Sequence, residues 1–238
     1  MKYLLYLFCV AACGLPLAHA QSSCSSDGEP TPVALMERFI NADCEACWSD
    51  PATRKVQAGQ VAIDWIVPSA RGDDAPLSAA ASRDALARLL VLRRAVPAQA
   101  LTVVSPVASA SEGTATLPLR VAHGLAFNDY IGASIEMKPA PPIPASSGPW
   151  TSWLVLVETI PAGKEGTPVA RNLARNALQS LWDGNSSIST SEQHRFFESR
   201  PMHIPSGSDP TRLRVLGWVQ DAQGHVLTAA QSRCKPDA

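Results

Sequence analysis

The chain has 238 residues, of which 46% are hydrophobic and 17% charged, with a formal net charge of −1. That length suffices for one large domain or two small ones, each with its own core. Lys and Arg are interleaved with acids, as in RDALARLLVLRR, so the clustered basic surface that nucleic-acid binding needs is missing.

In chain order, MKYLLYLFCVAACGLPLAHAQ has the pattern of an export signal: Lys2, an apolar run from Tyr3 to Leu17, and a small-x-small ending at Ala18-His19-Ala20. Cleavage after Ala20 leaves Gln21 as the mature N-terminus; the alternative takes VAAC as a lipid-attachment site at Cys13. A signal peptide over 1–20 implies a periplasmic or secreted protein. Nothing downstream offers ~20 uninterrupted apolar residues, so no membrane span is expected in the mature chain.

QSSCSSDGEPTP (21–32) is a small, polar leader. VALMERFI (33–40) is a strand that delivers the chain to Cys44-Glu45-Ala46-Cys47, and CWSDPATRKVQAG then reads as a helix ending at Gly59, with Pro51 inside its first turns. VAIDWIVP (61–68) is a second strand. PLSAAASRDALARLLVLRRA (76–95) is the strongest helix, with Leu86, Leu89, Leu90 and Arg93 on one stripe. ALTVVSPVA (100–108) follows as a strand. This βαβα order implies parallel strands with right-handed crossovers.

Beyond it, GTATLPLRVAHG, YIGASIEMK and WTSWLVLVETI suggest antiparallel strands, with PAPPIPASSGP (139–149) as a loop. TPVARNLARNALQSLW (167–182) has helical spacing and is stopped by Asp183-Gly184. TRLRVLGWVQDAQGHVLTAAQSRC (211–234) is a hairpin turning at Asp221-Ala222-Gln223-Gly224.

Removal of the signal discards Cys9 and Cys13 and leaves Cys24, Cys44, Cys47 and Cys234. An even set in an oxidising compartment suggests disulfides, and four cysteines allow three pairings. Chain termini often lie close together, which favours Cys24–Cys234 with Cys44–Cys47 over the pairings that split the close pair. The long closure would stabilise by roughly 4–5 kcal/mol in the chain-entropy model. Two exposed terminal thiols are the alternative.

Cysteines three apart at a helix N-terminus bring their sulfurs within bonding reach, beside unpaired N–H groups that favour a thiolate. Cys44 is then the attacking thiol and Cys47 the resolving one. Glu45 opposes the thiolate and should make the disulfide less oxidising. A zinc site would need further ligands, and His123, His194, His203 and His225 lack the spacing. A structural staple is the bland reading, but so short a loop stabilises little.

VALMERFINADCEACWSDPA resembles the start of a bacterial secreted thioredoxin-like family, domain of unknown function 1223, with Glu37, Phe39, Cys44 and Cys47 at its motif positions. RNLARNALQSLW is similar to a helix of that family's second half, and LRVLGWVQDAQGHVLTAA resembles its closing hairpin. Trp48 stands where family members commonly carry Pro, and SARGDDAP where they carry aromatic-rich sequence. The resemblance implies an α/β, thioredoxin-like domain (21–110; βαβα start, mixed sheet) followed by a β-rich α+β domain (111–238). It also implies a cis-proline opposite the cysteines that shapes a peptide groove: Pro106 is the leading candidate, with Pro97 and Pro118 as alternatives.

Most of the tryptophans are expected in the core. Trp48, directly after Cys47, is a candidate to shield the disulfide or touch a substrate chain. Asp64 is either a proton acceptor for the resolving thiol or, by alternation, an exposed or edge residue. No hydrolase elbow, phosphate loop or dinucleotide fingerprint occurs. The expectation is an exported thiol–disulfide oxidoreductase that needs no organic cofactor or metal and acts on thiol- or disulfide-bearing exported proteins. The alternative is a non-catalytic binding or scaffold protein.

Overall fold

The structure, a computed structural model, describes residues 24–110, 117–137, 149–182 and 196–234. The export signal, the Cys13 alternative and most of the Pro-rich segment 139–149 lie outside these residues. The strands are β1 (Cys24–Ser25), β2 (Ala34–Asn41), β3 (Gln60–Val67), β4 (Ala100–Pro106), β5 (Leu119–Phe127), β6 (Tyr130–Met137), β7 (Trp150–Ile160), β8 (Arg171–Trp182), β9 (Phe196–His203), β10 (Leu213–Gln220), β11 (Val226–Gln231) and β12 (Arg233–Cys234). The helices are α1 (Glu45–Trp48) and α2 (Arg83–Val91). No described helix is long and apolar enough to cross a membrane.

The expected thioredoxin-like α/β fold is overturned: the protein is mostly β, 52% strand against 13% helix, in two sheets with only two α-helices among the described residues. One sheet has the order β11-β10-β7-β8-β3-β2-β4 and the other β12-β1-β5-β6-β9. Within the larger sheet, β2 runs parallel to β3 and β3 parallel to β8, and every other pairing is antiparallel. That sheet therefore draws strands from both sides of residue 110.

The strands expected over 33–40, 61–68 and 100–108 form as β2, β3 and β4. β2 and β3 are buried on both faces, as continuous apolar runs require. The closing hairpin forms as β10–β11. The helices fared worse. The one expected to reach Gly59 stops at Trp48, because Pro51 disfavours helical backbone at Asp50. α2 starts only at Arg83, where the Ser82 hydroxyl accepts the Asp84 N–H. Its buried face is Ala85, Arg88 and Leu89, and Leu86 and Leu90 point to solvent. The segment 167–182 is not a helix: β8 lies antiparallel along β7.

Three apolar clusters fill the molecule. α2 covers one face of the larger sheet, over Leu35, Phe39, Ile63, Trp65, Trp153 and Trp218. The smaller sheet packs on the other face at the β7–β10 half, where Val121, Ile131 and Ile135 meet Leu154, Leu156 and Val215. At the β2–β3 half that same face is covered by the loops after β2 and β3, over Ile40, Trp48, Ile66, Ala75 and Leu173.

The two sheets come close together at Gly217. A Cβ there would lie 2.7 Å from Val121 Cγ1 and 2.8 Å from Ile135 Cδ1, both branched side chains of the facing sheet. Gly217→Ala should therefore overpack the interface and cost about 1–3 kcal/mol, read as a lower urea midpoint. An unchanged midpoint would show that the sheets are not in this contact.

Candidate functional site

The Cys44–Cys47 turn sits at the carboxyl end of β2, and Asn41 launches it. The Asn41 N–H donates to the Gln99 carbonyl, its side-chain Nδ2 donates to the Pro97 carbonyl, and its Oδ1 accepts the Asp43 N–H. The Cys44 N–H returns to the Asn41 carbonyl. Cys44 and Cys47 form a disulfide and both are half-buried. Cys44 caps a helix of four residues with no side-chain hydrogen bond at that cap. One turn sums few peptide dipoles, so the helix field expected to favour a thiolate is small. Exposed Glu45 adds an opposing charge beside Cys44.

Beneath the turn lies a buried cluster of charges. Asp64 Oδ2 accepts Arg38 Nη2 at 2.7 Å and Oδ1 accepts Arg171 Nη1 at 2.9 Å, and all three side chains are at most 3% exposed. The Asn172 N–H also donates to Asp64 Oδ2. Arg171 Nη2 then reaches the carbonyls of Trp48 (2.8 Å) and Cys47 (3.3 Å) and the hydroxyl of Thr53. Arg38 Nη1 holds the Arg54 carbonyl. Burial lowers the Arg171 pKa from its ordinary value, and the Asp64 carboxylate acts against that to keep it charged. Asp64 is thus neither exposed nor at an edge, and two guanidiniums occupy the carboxylate that would have served as a proton acceptor.

Trp48 is 8% exposed. Its Nε1 donates to the Glu165 carbonyl, and the Arg171 guanidinium lies 4.7 Å from its ring centroid. One edge of the ring faces a cleft of about 460 Å³ between Glu45, Ala46, Trp48 and Ser49 on one side and Leu77, Glu165 and Gly166 on the other. The α1 turn forms a wall of this cleft, and neither cysteine lines it. Cys47 packs inward against the cluster of Ile40, Trp48 and Leu173.

Pro106 is not opposite the cysteines. It pairs with Ala34, at the start of β2, whereas the turn follows Asn41 at the end. Seven residues of extended chain separate those points by roughly 23 Å. Pro97, by contrast, lies beside Asn41, and Pro118 leads into β5 of the other sheet. Cys24 and Cys234 form the second disulfide, as opposed residues of β1 and β12. The structure also brings His123 of β5 to that disulfide. The sequence spacing of the histidines, compared only with Cys44 and Cys47, carried no sign of this grouping.

No protein-family model, curated protein or solved structure matches the chain.

The ion cluster makes a quantitative expectation. Asp64→Asn leaves two buried guanidiniums without their counter-charge and should cost about 3–5 kcal/mol in urea denaturation. Asp27→Asn, which removes an exposed partner of Arg120, should cost under about 1 kcal/mol. Equal losses in the two variants would show that the Asp64 cluster is not buried as described.

Proposed function

We propose that the protein is an exported thiol–disulfide exchange protein working through Cys44 and Cys47. The observation that carries this reading is the Cys44–Cys47 disulfide itself. It bridges residues three apart on the surface of a rigidly anchored turn, where chain entropy explains little of its presence. The inward packing of Cys47 supports Cys44 as the outer, attacking sulfur.

In the reduced protein the Cys44 thiolate attacks one sulfur of a partner disulfide. A Cys44–partner bond forms, and the partner's other sulfur leaves as a thiolate that takes up a proton. The Cys47 thiolate then attacks Cys44 Sγ, closing the internal disulfide and releasing the second partner sulfur. Two electrons and two protons pass to the partner and none are left over. The cleft beside α1, with its apolar Trp48 and Leu77 and its carboxylates Glu45 and Glu165, offers the adjacent surface for an exported protein chain. The Cys24–Cys234 disulfide supports an oxidising compartment.

The fold gives one reason to keep the alternative of a non-catalytic binding or scaffold protein: the proline expected to shape a peptide groove lies at the far end of β2. Insulin reduction separates the two readings. The exchange reading expects turnover by the native chain, loss of it in Cys44→Ser, and mixed disulfides trapped by Cys47→Ser in a periplasmic extract. No turnover and no trapped adduct would leave the scaffold reading in place.

Glu45 supplies a second expectation. Its carboxylate disfavours the Cys44 thiolate and so the reduced state, which lowers the reduction potential. The Cys44–Cys47 couple should titrate below about −120 mV, the value of the strongest periplasmic oxidants. Glu45→Gln should raise it by roughly 10–20 mV, the equivalent of an exposed charge interaction of about 0.5–1 kcal/mol. A shift of the opposite sign would contradict the assignment of Glu45.

A further inference from the structure

Two sulfurs and an imidazole meet away from the Cys44–Cys47 turn, in the smaller sheet. Cys24 of β1 stands opposite Cys234 of β12 on one side and opposite His123 of β5 on the other. Directly opposed residues send their side chains to the same face of a sheet, so the three converge. Their ligand atoms all lie within 4.8 Å of one another. Cys24 and His123 are each 4% exposed.

The histidine is held as a metal ligand would be. Its Nδ1 lies 2.9 Å from the Gly124 carbonyl oxygen. A carbonyl can only accept, so Nδ1 carries the ring proton and the Nε2 lone pair is left over. That Nε2 is buried and has no hydrogen-bond partner among the described residues. Ligand histidines are characteristically oriented in this way, with the second ring nitrogen donating to a carbonyl or carboxylate. Burial lowers the His123 pKa, and the nearby Arg214 cation adds to that, which keeps the ring in its neutral, ligating form.

We propose that reduction of the Cys24–Cys234 bond turns this cluster into a two-sulfur, one-nitrogen site for a thiophilic monovalent cation, Cu(I). Thiolates select soft cations. Zn(II) takes four ligands, the fourth a water where the protein supplies three. This cluster offers three, and with Cys24 and His123 each 4% exposed it is poorly placed to admit that water, whereas Cu(I) is satisfied by fewer ligands. Two thiolates and one Cu(I) leave a single negative charge, less than the two that the empty dithiolate would carry.

The chemistry balances with a dithiol as reductant. The dithiol closes to its own disulfide, and two electrons and two protons pass to Cys24 and Cys234. Cu(I) then displaces both thiol protons to solvent and takes His123 Nε2 as its third ligand. In the oxidised protein the sulfurs are bonded to each other and the site is closed.

The test uses the full chain with Cys9, Cys13, Cys44 and Cys47 changed to Ser, so that only Cys24 and Cys234 remain. The protein is reduced with dithiothreitol, desalted without oxygen and titrated with Cu(I) held by bicinchoninate, with Zn(II) in a parallel arm. Thermal denaturation of each oxidised variant establishes that it is folded before reduction. The expected result is one Cu(I) per reduced chain, none per oxidised chain, and Cu(I) favoured over Zn(II). His123→Ala should weaken Cu(I) at least tenfold, the lower end of what even an outer-shell partner contributes. X-ray absorption should find two sulfurs and one nitrogen around copper, the nitrogen lost in His123→Ala. The proposal is overturned by no binding, by equal affinity in His123→Ala, by Zn(II) binding more tightly, or by a reduced chain that loses its native circular dichroism.

Discussion

The contact on which both the sheet and the candidate site depend is the clamping of one carboxylate, Asp64, between Arg38 and Arg171. β3 and β8 share a single backbone pairing, Asp64 with Leu173. This is where strands from the first part of the chain meet strands from the second. Side chains complete what the ladder leaves open: Asp64 accepts the Asn172 N–H, and the Asn172 amide donates to the Ala62 carbonyl. The same Arg171 then turns its Nη2 toward Cys47, Trp48 and Thr53, while its Nε donates to the Thr167 hydroxyl. One cluster thus closes the seam of the sheet and supports the cysteine turn. Buried ion pairs seldom stabilise more than well-packed apolar groups would. What this one supplies is direction, because a planar guanidinium fixes where its acceptors must lie.

Alternation along β2 places a second ion pair on the other face. Glu37 takes both Nε and Nη2 of Arg88, and Arg88 Nη1 reaches Gln220. The guanidinium lies 5.1 Å and 4.8 Å from the ring centroids of Trp153 and Trp218. α2 is therefore docked by a buried Arg among aromatic rings rather than by a leucine stripe. Consecutive residues Glu37 and Arg38 thereby tie β2 to the layers on both sides, which explains how a strand so apolar elsewhere carries two charges that are never exposed.

Strands were readable where composition and period agreed. ALMERFIN and QVAIDWIV are too apolar for anything but a buried strand, and the β10–β11 turn is marked by Asp221 and Gly224. Helices were overread. RNLARNALQSLW places Leu173, Ala174, Ala177, Leu178 and Leu181 at helical spacing, yet it pairs along β7 with a register shift after Leu156. Leu173 and Ala174 alternate to opposite faces that are both covered, and the irregularity at Arg175 then brings Ala177, three residues after Ala174, back to the same face as Ala174. A single residue out of phase is enough to imitate the helical period. At the site, the cysteine pair was visible, but its support was not, although one signal was present. A charge inside an apolar strand, such as Arg38 or Asp64, must find a buried partner. Which partner it finds depends on β8, whose place beside β3 is a long-range fact absent from local pattern.

The two disulfides differ in what they can do for the chain. Cys24–Cys234 joins residues 210 apart, so its closure restricts nearly the whole unfolded ensemble. Cys44–Cys47 joins residues three apart in a turn already fixed by Asn41, Arg171 and the Trp48–Glu165 hydrogen bond. Opening it would release little chain entropy and would leave those anchors in place. A short bridge that adds little chain-entropy restraint, on a turn held by other contacts, is one that the exchange reading expects to open without unfolding the protein. The half-buried placement of both cysteines fits such a cycle, since the pair is reachable while the carbonyls behind it are held. The long bridge, with its sulfurs beside a buried imidazole, lies within the packing of the smaller sheet. The two sulfur pairs thus lie at separate places in one β architecture, the long bridge restricting the whole chain and the short one seated on a turn that other contacts already hold.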